Sequence, residues 1–80
     1  MKIEILGPGC DKCEYAKKLI EKVCAEMNVT ADIRAVTDMR EILEYAVMIT
    51  PAVLIDGDEV LVGRVPTRDE VRKWLRQRAG

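Results

Sequence analysis

The sequence predicts an α/β fold in which a four-stranded mixed sheet packs against three helices, in the order β-α-β-α-β-β-α. The chain opens with a strand, a helix and a second strand, an arrangement that pairs the strands in parallel through a right-handed crossover. Asp56-Gly57-Asp58 joins two short apolar runs and is typical of a hairpin turn. Thr67 and Glu70 have the spacing of a capping box at the start of a final helix.

The first three elements follow from the spacing of their apolar residues. Lys2 to Leu6 alternates loosely and runs into Gly7-Pro8-Gly9, which predicts a short strand followed by a turn. From Asp11 to Met27 the apolar residues recur on one helical face, with mostly Lys and Glu between them, which predicts a helix. Val29 to Val36 alternates between an apolar and a polar side, which indicates a strand at the edge of the sheet.

The second half contains a short helix, a hairpin and the final helix. Asp38 followed by Glu41 predicts the start of the short helix. We expect its apolar stripe to be part of the core: Met39, Ile42, Leu43 and Ala46. Thr50-Pro51 ends any helix, because proline disfavours the α conformation in the residue before it. Ala52 to Ile55 and Glu59 to Val62 are the predicted strands of the hairpin.

Length and composition restrict both the architecture and the chemistry. The chain has 80 residues, and we expect residues 1–80 to form a single domain. Its 13 Lys and Arg balance 14 Asp and Glu, a formal net charge of −1, which argues against nucleic-acid binding and against a basic membrane anchor. The absence of His and Ser excludes a Ser-His-Asp triad, a Cys-His pair and a His-containing zinc site.

The sequence patterns predict a cytoplasmic monomer. A membrane span needs about 20 apolar residues, and the longest uncharged stretch, from Tyr45 to Ile55, is shorter and contains Pro51. The N-terminus is too charged for a signal peptide. An odd number of cysteines, three, argues against a secreted disulfide scaffold and favours a compartment in which thiols are mostly reduced. We expect no apolar stripe to be exposed, so no surface is predicted to bind a second subunit.

The candidate chemistry lies at Cys10-Asp11-Lys12-Cys13, between the first strand and the first helix. Two cysteines at this spacing have Cα atoms about 5–6 Å apart, within reach of a disulfide. Cys10 falls at the N-cap or first turn, where unpaired N–H groups and the helix dipole lower a thiol pKa. Cys13 lies on the apolar stripe and is expected to be more buried. An exposed thiolate attacks and a buried neighbour resolves, so Cys10 is the predicted nucleophile and Cys13 the resolving thiol of a redox-active disulfide.

With this motif the chain resembles the thioredoxin superfamily in its glutaredoxin-sized form, and is most similar to the small redox-active disulfide proteins of archaea and anaerobes. The resemblance covers the element order, the Cys-x-x-Cys position, and Thr50-Pro51 before the third strand. It implies that Pro51 is cis and that backbone at Thr50 and Pro51 pairs with a substrate strand. Thioredoxins carry a buried carboxylate six residues before the first Cys, a proton acceptor for the second thiol, and Glu4 falls at that offset.

The resemblance implies a thiol–disulfide oxidoreductase without a cofactor, which reduces disulfides of protein substrates and is itself reduced by a thioredoxin-reductase-like donor. The residues between the cysteines are Asp-Lys, not the Gly-Pro of thioredoxins or the Pro-Tyr of glutaredoxins, so no potential or substrate carries over. The double glycine with which glutaredoxins hold glutathione is reduced to Gly63-Arg64. Gly63 is therefore a candidate substrate-binding residue, and protein disulfides are favoured over glutathione.

Each candidate residue also has a second interpretation. Cys10 and Cys13 are thiolates that could instead bind or shuttle a soft metal, Cu or Zn, as in small heavy-metal-associated domains. Those domains run β-α-β-β-α-β, whereas here a helix is predicted after the second strand. Glu4 could be a solvated or salt-bridged strand residue. Cys24 lies about 16 Å along the helix from Cys13, too far for a disulfide, and is expected to be a small core side chain rather than a regulatory thiol.

Overall fold

The elements of the chain follow one another in the predicted order in a computed structural model, which describes residues 1–9, 11–47 and 49–79. They are β1 Lys2–Leu6, α1 Asp11–Glu26, β2 Asp32–Val36, α2 Met39–Glu44, β3 Ala52–Ile55, β4 Asp58–Val62 and α3 Arg68–Ala79. The sheet order is β2-β1-β3-β4; β1 is parallel to β2 and antiparallel to β3, and β3 is antiparallel to β4. Over the described ranges, three helices and a four-stranded mixed sheet confirm the predicted fold class.

The sheet separates two apolar clusters, because side chains alternate between the two faces along each strand. On one face, Ile3 and Ile5 of β1 pack with buried residues of α1 and α3. On the other face, Leu6 packs in a cluster with Ile42 of α2. We call these the α1/α3 face and the α2 face. β2 lies at an edge of the sheet, as its polar side predicts.

The end of α1 explains why β2 starts later than predicted. Asn28 has a positive φ of 56°, the left-handed conformation that often ends a helix. The Val29 N–H then donates to the Cys24 carbonyl at 2.9 Å, and the Asn28 N–H to the Ala25 carbonyl at 3.3 Å, which is the pattern of a Schellman motif. Residues 28 and 29 therefore cap the helix, and β2 begins only at Asp32.

The helix α2 corrects two of the sequence predictions. Asp38 is its N-cap, and its side chain accepts a hydrogen bond from the Arg40 N–H at 2.8 Å. Of the predicted core stripe, however, only Ile42 is buried, whereas Met39 is 55% and Leu43 63% exposed. A helix of six residues turns less than twice and presents few side chains to the sheet. The predictions that this stripe is core and that no apolar stripe is exposed are therefore wrong.

The predicted capping box at the start of α3 is present. The Thr67 N–H donates to Glu70 Oε1 at 3.0 Å, and the Glu70 N–H donates to Thr67 Oγ1 at 3.2 Å. Arg64 from the preceding loop donates to the same carboxylate at 2.7 Å. Hydrogen bonds from Arg64 and then from Thr67 lower the pKa of Glu70 to about 2. These bonds tie the β4–α3 loop, which contains Gly63, to the start of α3.

Candidate active site

The loops that carry the predicted site residues meet at one end of the strands, where β1 ends, and we call this end of the sheet the site edge. β1 ends at this edge, and because β3 is antiparallel to β1, β3 begins there. A Cβ built on Gly7, after β1, would lie 3.9 Å from Thr50 Cβ, before β3. A Cβ built on Gly63, after β4, would lie 3.3 Å from Ile49 Cγ2. The fold thus brings the loop before α1, the Thr50-Pro51 segment and Gly63 together.

Cys13 lies in the first turn of α1, at the same edge. Its side chain is 6% exposed and belongs to the cluster on the α1/α3 face, where the apolar spacing of the helix predicted it. The helix begins at Asp11, the residue that follows Cys10 in the sequence. Cys10 itself lies outside the described residues, so its position at the helix start stays a prediction.

Gly7 is a site residue that the sequence analysis did not single out. A Cβ built on Gly7 would lie only 2.0 Å from Cys13 Sγ. Its only sequence signal is its place in Gly7-Pro8-Gly9, a pattern that indicates a turn. Spacing alone could not reveal that the sulfur of a residue six positions later packs against this α-carbon.

The backbone of the Thr50–Pro51 segment is hydrogen-bonded on one side to the residue that follows β4. The peptide bond between the two residues, which the resemblance implies to be cis, is cis in the structure. Pro51 is buried, and its carbonyl accepts a hydrogen bond from the Gly63 N–H at 2.8 Å. Gly63 has a positive φ of 87°, a conformation that favours glycine. Gly63 therefore supports the backbone of Pro51 directly.

Glu4 is buried, at 3% exposure, and lies on the α2 face of the central strand β1. The Tyr45 hydroxyl donates a hydrogen bond to Glu4 Oε2, and Lys2 Nζ lies 4.0 Å from the same oxygen. The hydrogen bond with Glu4, followed by burial, raises the pKa of Tyr45. Cys13 packs in the cluster on the opposite face. Glu4 therefore has a partner on the α2 face, and its role as proton acceptor for Cys13 stays a prediction.

Comparison with known proteins identifies the family. The model of the thioredoxin domain family matches residues 1–76. The chain belongs to the thioredoxin family. A thioredoxin of Methanothermobacter thermautotrophicus is 32% identical over 75 residues, which cover 94% of this chain and 97% of that protein. Two thioredoxins of Methanocaldococcus jannaschii are 36% identical over 74 residues, covering 92% of this chain and 85% of the relative, and 29% identical over 82 residues, covering 98% and 95%.

Membership of the thioredoxin family implies a thiol–disulfide oxidoreductase kind of activity. The heavy-metal-associated interpretation required a strand after β2, and the structure has α2 there and α3 after β4. The comparisons give that interpretation no support either. No helix within the described ranges is long and apolar enough to cross a membrane.

Cys24 is the other buried cysteine of α1, in a different environment from Cys13. It is 4% exposed and packs in the core of this thioredoxin domain on the α1/α3 face. Burial, and then the negative charge of Glu21, raise the pKa of Cys24. Both effects disfavour the thiolate, which is the reactive form of a cysteine. The core role predicted for Cys24 agrees with this position.

Proposed function

We propose that this thioredoxin-family domain, residues 1–80, reduces disulfides of protein substrates through Cys10 and Cys13. The observation that carries the proposal is the burial of Cys13 in the first turn of α1, beside Gly7 and at the edge where the Thr50-Pro51 segment lies. A thiol held there, one turn from a predicted nucleophile, has the position that a resolving thiol needs.

The proposed reaction transfers two electrons in two exchange steps. The Cys10 thiolate attacks one sulfur of the substrate disulfide, forming a mixed disulfide and releasing the first substrate thiolate. The Cys13 thiolate then attacks the Cys10 sulfur, releasing the second substrate thiolate and leaving the Cys10–Cys13 disulfide. A dithiol donor, in the cell a thioredoxin-reductase-like protein, returns two electrons to this disulfide.

Thr50, Pro51 and Gly63 are the proposed substrate-binding residues. Among the described residues, no backbone–backbone hydrogen bond involves the N–H or the carbonyl of Thr50, which supports the proposal that this backbone pairs with an extended substrate segment. The Pro51 carbonyl is already bonded to Gly63, which fixes the direction in which Thr50 presents its backbone. The preference for protein disulfides over glutathione is based on Gly63-Arg64, which stands where glutaredoxins have a double glycine.

Glu4 is retained as the candidate proton acceptor for Cys13, with its hydrogen bond to Tyr45 as the competing structural role. We propose the cytoplasm as the setting, on the ground that thiols are kept reduced there. The near-neutral charge speaks against nucleic-acid partners. The monomer expected from the sequence stays a proposal, although Met39 and Leu43 of α2 are exposed.

The two cysteine roles are tested by Cys10→Ser and Cys13→Ser with a small protein disulfide as substrate. Turnover is measured with dithiothreitol as electron donor, and trapping is measured with pre-reduced protein and no added thiol, because a free dithiol would itself resolve a mixed disulfide. Cys10→Ser is expected to lower turnover at least about 100-fold, because it removes the nucleophile. Cys13→Ser is expected to form a mixed disulfide with the substrate that persists and is detected by intact mass. Wild-type turnover by folded Cys10→Ser would show that the proposed nucleophile is wrong.

A further inference from the structure

Gly7 leaves the space in which the Cys13 sulfur lies. The Cβ of any other residue at this position would be 2.0 Å from Cys13 Sγ, far inside van der Waals contact. With a Cα–Cβ bond of about 1.5 Å, Sγ therefore lies within about 3.5 Å of the Gly7 α-carbon. The sulfur therefore packs against the backbone of Gly7, the residue that follows β1.

Backbone conformation is not the reason for a glycine here. Gly9, Gly57 and Gly63 have positive φ values of 84°, 88° and 87°, which favour glycine whatever surrounds them. Gly7 has no positive φ, so an alanine is compatible with its backbone. An alanine at this position would have no room for its methyl group, because the Cys13 sulfur lies there.

Both sides of this contact are fixed by the fold. The Gly7 N–H donates to the Val36 carbonyl at 3.0 Å, which extends the pairing of β1 with β2 by one residue. Gly7 is itself buried and follows Leu6, which is fully buried. On the other side, Cys13 is on a helix that is held by Ala16 and Ile20 in the core. The part that moves most easily is the Cys13 side chain, by rotation about χ1.

We infer that Gly7 is a positioning residue for Cys13. Because Gly7 has no side chain, the Cys13 sulfur can lie in the position from which Cys13 resolves the mixed disulfide. This inference rests on the proposed function, in which Cys13 carries out the second exchange step. A methyl group at Gly7 would turn the sulfur away from β1 into another rotamer. A disulfide requires a restricted S–S and Cβ geometry, so a rotated sulfur reaches Cys10 less often.

The test is Gly7→Ala, studied with a single-turnover assay on a small protein disulfide. The rate of mixed-disulfide formation is expected to stay within twofold of wild type, because that step uses Cys10. The lifetime of the mixed disulfide, followed by quenched intact mass, is expected to increase at least tenfold. A folded Gly7→Ala protein that resolves the mixed disulfide at the wild-type rate would overturn the inference.

A double-mutant cycle with Cys13→Ala tests the contact without any use of activity. Removing the sulfur should relieve the clash, so Gly7→Ala should lower the free energy of unfolding less in the Cys13→Ala background than in wild type. Gly57→Ala is the matched control, since it has a positive φ but no atom within 4 Å of the new Cβ. The costs of Gly57→Ala and Cys13→Ala are expected to add. Equal costs of Gly7→Ala in both backgrounds would contradict the contact.

The cycle also covers a variant that does not fold. If the Gly7→Ala protein is unfolded, the double variant Gly7→Ala/Cys13→Ala is expected to fold. If neither variant folds, the inference is overturned. Failure of the proposed function is a separate outcome, seen as a wild-type protein that forms no mixed disulfide. In that case the role in resolution is rejected together with the proposed function, and the cycle alone decides whether Gly7 determines the sulfur position.

Discussion

Cys13 and Cys24 lie on the same helix, about 16 Å apart, and are buried to nearly the same extent, at 6% and 4% exposure. Cys13 is in the first turn of α1, against Gly7 and at the edge where the Thr50-Pro51 segment lies. Cys24 is in the last turn, and its carbonyl accepts the hydrogen bond that caps the helix. Burial alone therefore does not distinguish a thiol suited to exchange from a core side chain.

Position along the helix explains the difference. The N-terminal end of a helix stabilises negative charge, whereas the C-terminal end disfavours it. Cys24 lies at the unfavourable end, and burial and Glu21 raise its pKa further. Cys13 lies at the end of α1 that is next to Gly7 and the Thr50-Pro51 segment, the proposed substrate-binding backbone. These differences predict that the two cysteines respond differently to the same substitution.

The largest expected contrast is between Cys13→Ala and Cys24→Ala. Each removes a buried sulfur and is expected to lower the free energy of unfolding by about 1–2 kcal/mol. Turnover should fall at least about 100-fold for Cys13→Ala, which removes the proposed resolving thiol, and less than twofold for Cys24→Ala. Urea unfolding and a disulfide-reduction assay measure the two effects. Equal losses of turnover in the two variants would break the comparison.

Sequence patterns predicted the fold well because most elements carry their own signals. β1 and β3 have the predicted bounds, and the Thr67–Glu70 capping box forms as its spacing indicates. α2 was predicted less well, because helical spacing does not reveal how much of a six-residue helix the sheet can cover. For such a helix the tertiary contact decides burial.

The candidate site was predictable only in part, for a similar reason. The Cys-x-x-Cys spacing and Thr50-Pro51 are local in sequence, and helix periodicity predicted a buried Cys13. The contacts of Gly7 with Cys13 and of Tyr45 with Glu4 join different elements, and no local pattern predicts them. Glu4 was expected to be a proton acceptor or a solvated or salt-bridged strand residue, and its hydrogen-bond partner Tyr45 is identifiable only from the folded chain.

A second, smaller contrast separates the two faces of the sheet. Tyr45→Phe leaves the buried Glu4 carboxylate without its hydrogen bond and is expected to cost about 1–3 kcal/mol of unfolding free energy. Because the folded-state pKa of Tyr45 is raised, its stabilising contribution is present below about pH 10 and is lost as the pH rises through that pKa. Alkaline unfolding midpoints of wild type, Tyr45→Phe and the exposed-residue control Tyr15→Phe measure this.

Glu4→Gln is the matched variant that decides the proton-acceptor role. If Glu4 accepts the Cys13 proton, Glu4→Gln slows mixed-disulfide resolution and changes its pH dependence, whereas Tyr45→Phe, which keeps the carboxylate, does not. Loss of stability in both variants with unchanged resolution rates would leave Glu4 a purely structural residue on the α2 face.

The smallest expected effect lies away from both cysteines, at the capping box of α3. Thr67→Ala is expected to cost about 1 kcal/mol of unfolding free energy with unchanged turnover. The contribution of Glu70, whose pKa is lowered to about 2, is fully present above about pH 4.5 and is lost as the pH falls toward 2. Acid unfolding of wild type and Glu70→Gln checks this. A fall in turnover for Thr67→Ala would extend the site to this helix start.

The central claim, that Cys10 and Cys13 form a redox couple from which Cys24 is excluded, is tested most directly by an equilibrium redox titration in dithiol buffers. Rapid alkylation, intact mass and peptide mapping assign the thiols at each potential. The account predicts that two of the three thiols titrate together and reversibly, while Cys24 stays reduced throughout. The absence of a reversible couple, or a disulfide that contains Cys24, would contradict it.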